Sequence, residues 1–365
     1  MAALEFDTDA ARANITDSAI GELAARVSAA AAAGTALQIR GGGSKAFYGR
    51  APHGELLDTR ACRGIVAYEP TELVITARAG TPLAEIEAVL AAEHQMLGFE
   101  PPYFDGDATL GGVVASGLSG PARPYCGAVR DFVLGIELLD GRGELLRFGG
   151  QVMKNVAGFD VSRLLAGSLG SLGVIVQASL RVIPRPVQAC TLEWQLTAAA
   201  AAQRMITLAH APWPITGLCY DGSVLRMRAA GSSAAVAHAL AQLAPDAVLD
   251  DVGYWRELRD LKLPFFTDEQ RPLWRLSVPP NAPDPSVSGP LLCDWGGAQR
   301  WLHGAADDVA LRDYAAALGG HATCFTGSDT PFATPTAALR QLMQRVKAAL
   351  DPHGIFNPGR LYPWL

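Results

Sequence analysis

The sequence Arg40-Gly41-Gly42-Gly43-Ser44-Lys45 follows directly on a short apolar run, Ala36-Leu-Gln-Ile39, that reads as a strand. Three consecutive glycines remove every side chain where the backbone must come close to something, and they allow positive φ. Successive N–H groups in such a loop can form a concavity for an anion. Ser44 adds a hydroxyl donor. A plain hairpin turn uses glycine equally well, so this stretch alone fixes no function.

Two later segments have the same character. Thr109-Leu110-Gly111-Gly112 opens the run Val-Val-Ala115-Ser116-Gly117-Leu-Ser-Gly120. Thr109 can cap a helix there, and helix N-termini favour phosphate through free N–H groups and the dipole. A capped helix with functionless glycines reads the same way. Gly167-Ser-Leu-Gly170-Ser-Leu-Gly173-Val174-Ile175 leads a glycine-dense loop into a β-branched strand, which a tight connection also explains.

Around these segments the chain alternates between helix and strand signals. Ser18–Ala33 has apolar residues at Ile20, Leu23, Ala24 and Val27 with Gly34 as its cap, which predicts a helix. Ile65–Tyr68 and Leu73–Thr76 predict a hairpin, Pro82–His94 a helix, and Phe132–Leu139, Glu144–Phe148 and Gly173–Val182 strands. Pro184-Arg-Pro186 is the expected boundary. Beyond it, strands are expected at Thr191–Leu196, Leu273–Val278 and Leu291–Trp301, and a strand pair near Gly217–Arg228. Helices are expected at Ala198–His210, Ser232–Leu243, Ala305–Leu318 and Thr336–Leu350. The reading is an α+β chain with segments 1–186, 187–335 and 336–365 and no internal repeat.

Composition narrows the function classes. The 365 residues carry a net charge of −6, from 30 basic and 36 acidic side chains, with no dense Lys/Arg run. Nucleic acid is therefore not an expected partner. The six cysteines are scattered without a C-x-x-C, which argues against a contiguous iron–sulfur or zinc motif. They read as reduced, buried side chains of a cytoplasmic protein. The N-terminal MAALEFDTDA has no apolar stretch of the secretory kind. The uncharged run Leu164–Leu180 is too short and too rich in Gly and Ser for a span, so any membrane association is expected to be peripheral. There is no G-x-G-x-x-G, no P-loop and no G-x-S-x-G elbow. The seven histidines never form H-E-x-x-H or H-x-H, so no metal site is expected.

Taken in order, the glycine segments resemble the FAD-binding domain of the vanillyl-alcohol-oxidase (PCMH-type) flavoproteins. The matching residues are Arg40–Ser44, Asp107-Ala-Thr-Leu-Gly-Gly112, Gly127 ahead of Val133-Leu-Gly-Ile-Glu137, and Gly167–Ile175. The tail Asp351-Pro-His-Gly-Ile-Phe-Asn357-Pro-Gly-Arg360 resembles the closing segment of the same group. Within it, Lys154-Asn-Val-Ala-Gly-Phe-Asp160 and Asp294-Trp-Gly-Gly-Ala-Gln-Arg-Trp301 are similar to the E subunits of glycolate oxidases. The resemblance implies two α+β subdomains clasping FAD and a smaller C-terminal α+β domain of ferredoxin-like type.

It further implies that Arg40 to Lys45 and Thr109 to Gly112 hold the diphosphate. Ala115, Ser116, Gly117 and Gly120 would approach the isoalloxazine, with Gly127 nearby. Gly170, Gly173, Val174 and Ile175 would lie along the cofactor, and Asn357 would return to the flavin from the tail. Departures matter as much. The H-x-G-D-G-N-x-H metal motif of 2-hydroxy-acid-oxidising relatives is absent, Gly117 stands where they carry Asn, and Leu169 replaces an acid. His53 is out of register for a covalent bond, so the implied FAD is non-covalent. Arg40, Arg123 and Lys154 are candidates for a substrate carboxylate, and solvated or structural roles explain each equally well. No catalytic base is identified. The implied function is an accessory, electron-transferring FAD subunit beside a catalytic FAD subunit and an iron–sulfur subunit that together oxidise a small 2-hydroxy acid. A self-sufficient dehydrogenase and a scaffold with weak or no flavin are the alternatives.

Overall fold

The computed structural model describes residues 12–150, 160–250, 253–268, 270–286, 289–305 and 308–365. In the first half the strands are β1 (Leu37–Arg40), β2 (Glu55–Asp58), β3 (Ile65–Glu69), β4 (Val74–Arg78), β5 (Gln95–Met96), β6 (Val133–Leu139), β7 (Leu145–Gly149), β8 (Val174–Arg181) and β9 (Ile183–Pro184). The longer helices are α1 (Ser18–Ala33), α2 (Leu83–Ala92) and α3 (Leu110–Ser116). Helix α1 begins where the Asp17 carboxylate accepts the Ala19 N–H at 2.9 Å and ends at Gly34 in the left-handed region. Its buried stripe is Ile20, Leu23, Ala24, Val27 and Ala30, the spacing of one helix face.

Strands β3-β4-β8-β6-β7 form an antiparallel sheet in that order. One face is covered by α2 and α3 and the other in part by α1, which leaves a polar groove at Arg78, Glu137 and Gln177. Along β8, Val174 and Val176 join the cluster under α1, while Ile175, Ala178 and Leu180 join the larger core with α2 and α3. The start of that strand, Val174-Ile175-Val176, therefore reads as a continuous apolar run, and alternation begins only at Gln177. A separate parallel pair, β1 with β2, registers Leu37 with Glu55 and Arg40 with Asp58. The glycine loop starting at Gly41 springs from its end.

The second half holds β10 (Gln188–Gln195), β11 (Ile215–Tyr220), β12 (Val224–Gly231), β13 (Ala247–Leu249), β14 (Leu273–Ser277), β15 (Leu291–Asp294), β16 (Gln299–His303) and β17 (His321–Cys324). They make one eight-stranded sheet ordered β13-β10-β12-β11-β15-β16-β14-β17. Helices α4 (Ala198–Ala209) and α5 (Ser233–Leu243) cross between strands of its first half, and α6 (Val309–Ala317) serves the second. The first half is a β-α-β-β-α-β unit. The strand order of the second half repeats it as a mirror across the β11–β15 seam, which is joined at Tyr220 and Cys293. This duplication corrects the expectation of no internal repeat. It is invisible in the sequence because the first crossover of the second unit, 278–290, holds five prolines and forms no helix among its described residues. The expected strand Leu291–Trp301 is a hairpin instead, broken at Trp295-Gly296-Gly297, all three at positive φ.

After this sheet the chain returns to the first. Helix α7 (Ala337–Leu350) buries Val346 and Leu350 in the core of the five-stranded sheet. Lys347 Nζ donates to Ser171 O at 2.7 Å, to Phe356 O at 2.8 Å and to Asp351 Oδ2 at 2.7 Å. The tail then runs alongside β1: Leu37 N–H donates to Ile355 O at 2.7 Å, and Asn357 N–H to Leu37 O at 2.9 Å. No helix among the described residues is long and apolar enough to cross a membrane.

Candidate cofactor site

The end of β1, the start of α3, the loop before β8 and the tail converge on one cleft of about 620 Å³ of open space. Of the residues expected from sequence, Arg40, Gly41, Gly42, Gly43, Ser44, Lys45, Thr109, Gly112, Ala115, Ser116 and Asn357 line it. The glycines are needed where they stand. A Cβ on Gly42 would fall on the carbonyl of Asp107, and one on Gly41 would fall on Thr109 Oγ1. The first two glycine segments are therefore pressed together, main chain against main chain.

Thr109 does not use its hydroxyl as a helix cap. It precedes α3 without a side-chain cap bond, and its Oγ1 is a buried polar atom with no hydrogen-bond partner. Leaving such a group unpaired costs about 1–3 kcal/mol. An orphaned hydroxyl at the wall of a glycine cradle fits a ligand oxygen, and the donor set fits a phosphate-bearing cofactor such as FAD. Lys45 adds charge. Its Nζ sits 3.1 Å from Ser44 Oγ, and burial, partly offset by Asp260, pushes its pKa down to about 8. Among the residues lining the cleft there is no Asp, Glu or His.

Other expected residues lie off the cleft. The Leu110 and Gly111 amides are taken by the carbonyls of Thr81 at 3.0 Å and Ala79 at 2.8 Å, so they are not available to a phosphate. Gly173 is packed on Leu138, where a Cβ would stand 2.8 Å from Cδ1. Val174 and Ile175 are buried in β8 and paired in register with Leu139 and Leu138 of β6. These three serve the sheet. Gly127 closes the short helix Arg123–Cys126 at φ 110°. Gly120 donates to Phe99 O and accepts from Trp295 Nε1 at 3.1 Å. Gly117, at φ 65°, abuts Gly167 and lines a second, adjoining cleft.

Gly170 (φ 72°) approaches Asn357 so closely that a Cβ would sit 2.7 Å from Nδ2. The Asn357 side chain is spent inside the protein: Oδ1 accepts the Ile39 N–H at 2.8 Å and Nδ2 donates to Leu169 O at 2.7 Å. It ties the first glycine segment to the third. Sequence reasoning missed Gln38, Ile39, Ala46, Pro52, Leu169 and Arg360, which also line the cleft. Arg360 reaches back to the carbonyls of Lys45, Ala46 and Arg50. Its place in the quoted tail motif was the available signal. Most of Lys154–Asp160 lies outside the described residues, Lys154 included.

Comparison with known proteins agrees with this geometry. The FAD binding domain family matches residues 15–149, and the C-terminal domain of FAD linked oxidases matches residues 335–361. The chain is 48% identical over 328 residues to glycolate oxidase subunit GlcE of Escherichia coli K12, covering 90% of this chain and 93% of that one. It is 30% identical over 156 residues to glycolate oxidase subunit GlcD of Bacillus subtilis, covering 42% of this chain and 33% of that one. Among solved structures, an alkyldihydroxyacetonephosphate synthase superposes with a TM-score of 0.66 at 16% identity, covering 93% of this chain and 74% of that one, which is a likeness of fold.

Proposed function

The chain belongs to the family of glycolate oxidase subunit GlcE, and on that premise we propose that it binds FAD non-covalently as an electron-transferring subunit, not the main catalytic one, of a complex oxidising a small 2-hydroxy acid. One observation carries the reading. Bare amides near Gly42 and Gly112 and the orphaned Thr109 hydroxyl share a single cleft with Lys45. On this reading residues 1–186 form the cofactor domain, 187–335 cap it, and 336–365 return to brace it.

Bound there, FAD supplies a two-electron acceptor. The chain's own residues do the rest. Gly41 to Ser44 and Thr109 hold the diphosphate through N–H and O–H donors, and Lys45 balances its charge. Asn357 and Arg360 hold the loops that present those donors. A covalent bond from His53 has no support, because that side chain is exposed and outside the cleft. A base within hydrogen-bond reach of a substrate hydroxyl is needed for independent turnover. Among the described residues, neither this cleft nor the adjoining one at Gly117 is lined by Asp, Glu or His, which supports an accessory role. The partners are then a catalytic FAD subunit and an iron–sulfur subunit, in the cytoplasm or held peripherally at the inner membrane.

The purified full chain tests this. It should carry FAD that acid or heat releases, and glycolate should leave the flavin oxidised until the partner subunits are added. Bleaching by glycolate without partners would make it a self-sufficient dehydrogenase. A colourless chain that still assembles would make it a scaffold.

A further inference from the structure

The cofactor cleft shares Ser116 and Leu169 with a second cleft of about 910 Å³. Tyr48, Phe332 and Tyr362 give that cleft flat apolar walls, and Arg123 and Arg130 are its charged residues. Among the described residues, no Asp, Glu or His lines it. Arg130 is well exposed and stands 3.9 Å from Asp131. Arg123 is different. Its side chain is half-buried, and among the described residues it makes no hydrogen bond or ion pair.

What Arg123 has is a support. Its guanidinium lies over the Trp295 ring at 4.5 Å from the centroid. That ring is held from both ends. Its Nε1 donates to Gly120 O at 3.1 Å, and its own N–H donates to Asp294 Oδ1 at 2.7 Å. The left-handed turn Trp295-Gly296-Gly297 therefore carries an indole from the second half of the chain under an arginine of the first. Burial, and next the charge of Arg275, already press the Arg123 pKa down. A cation kept half out of water, near two other cations and offset only by Asp131 without a direct ion pair, is costly unless an anion completes it.

We propose that Arg123, propped by Trp295, faces the pyrimidine edge of the flavin and stabilises the negative charge that edge gains on reduction. This rests on the FAD reading above. The ring must lie beyond the diphosphate cradle, and the second cleft continues the first at Ser116 and Leu169, with flat walls. Reduction takes up two electrons and one proton to give FADH⁻. Their source is a 2-hydroxy acid becoming a 2-oxo acid, which releases two electrons and two protons; the second proton goes to solvent. A cation at that edge lets the second proton stay off and draws electrons onto this subunit.

The test is the midpoint potential of the FAD-loaded full chain between pH 6 and 9. Arg123→Gln should lower it by about 30 mV, a tenfold loss for a two-electron couple. Its slope should steepen from about 30 mV per pH unit, one proton per two electrons, toward about 60, two protons. Arg123→Lys should keep most of both, and Arg130→Gln should change neither. An unchanged potential and slope in Arg123→Gln at full FAD content overturns the proposal and leaves the FAD reading intact. Saturable oxalate binding that vanishes in Arg123→Gln while the potential holds also overturns it, by giving the arginine to a carboxylate. A chain that takes up no FAD overturns both readings.

Discussion

Asn357 donates from Nδ2 to the main-chain carbonyl of Leu169 at 2.7 Å while its Oδ1 accepts the Ile39 N–H at 2.8 Å. Residues 318 apart in sequence are thus fixed across the mouth of one cleft. Asn357→Ala should cost about 2–4 kcal/mol of stability, because two buried main-chain groups lose their partners. It should also weaken FAD binding at least tenfold. Urea unfolding and a fluorescence titration with FAD measure both; unaltered affinity would mean that the cradle stands without this tie.

Thr109→Val separates binding from stability. The hydroxyl is buried and unpartnered, so an isosteric methyl should leave the FAD-free chain as stable as before or slightly more so. FAD affinity should fall about tenfold to a hundredfold, the worth of a hydrogen bond to a charged group. Equal losses in both measurements would assign the hydroxyl a structural part.

Two neighbouring glycines should behave differently. Gly42→Ala places a methyl on the Asp107 carbonyl, so the two loops must part and FAD binding should be lost. Gly43→Ala meets nothing closer than 3.6 Å, the Arg40 Cδ, and pays only for its φ of 79°, about 1 kcal/mol. Its affinity for FAD should survive. Thermal scans with and without FAD distinguish the two.

Lys45 predicts a pH dependence with a definite sign. Burial brings its pKa from 10.5 to about 8. Between those values the unfolded chain binds more protons than the folded one, so this group's contribution makes stability rise with pH across that window. A bound diphosphate would restore the proton. FAD binding should therefore take up protons above pH 8 and weaken as pH rises further. Lys45→Met should flatten both trends. Calorimetry in two buffers of different ionisation enthalpy reads the proton uptake directly.

Much of the first half was legible because its signals are local. The stripe of α1 and the glycines around Gly42 and Gly112 state their conformations in a few adjacent residues. What was not legible depends on distant chain. Strand β2 was missed because Glu55-Leu-Leu-Asp58 has no alternation and is ordered by pairing with β1. The family resemblance implies Val174 and Ile175 along the cofactor, yet Gly173 admits Leu138, a contact no local pattern announces. Leu169 is held at the site by the Asn357 amide on its carbonyl, and a main-chain contact carries no residue signature. The repeated order of the eight-stranded sheet appears only in hydrogen bonding between strands distant in sequence.

The bracing of the cleft by Asn357 and Arg360 also sets a timetable. On the ribosome, the loop at Gly41 to Ser44 emerges early and must wait for more than three hundred further residues before the clamps that fix it are made. A nascent chain can build its first sheet, but the cleft stays unbraced until translation has passed Arg360. A ligand of this cleft therefore meets a braced site only on chains already made past that point.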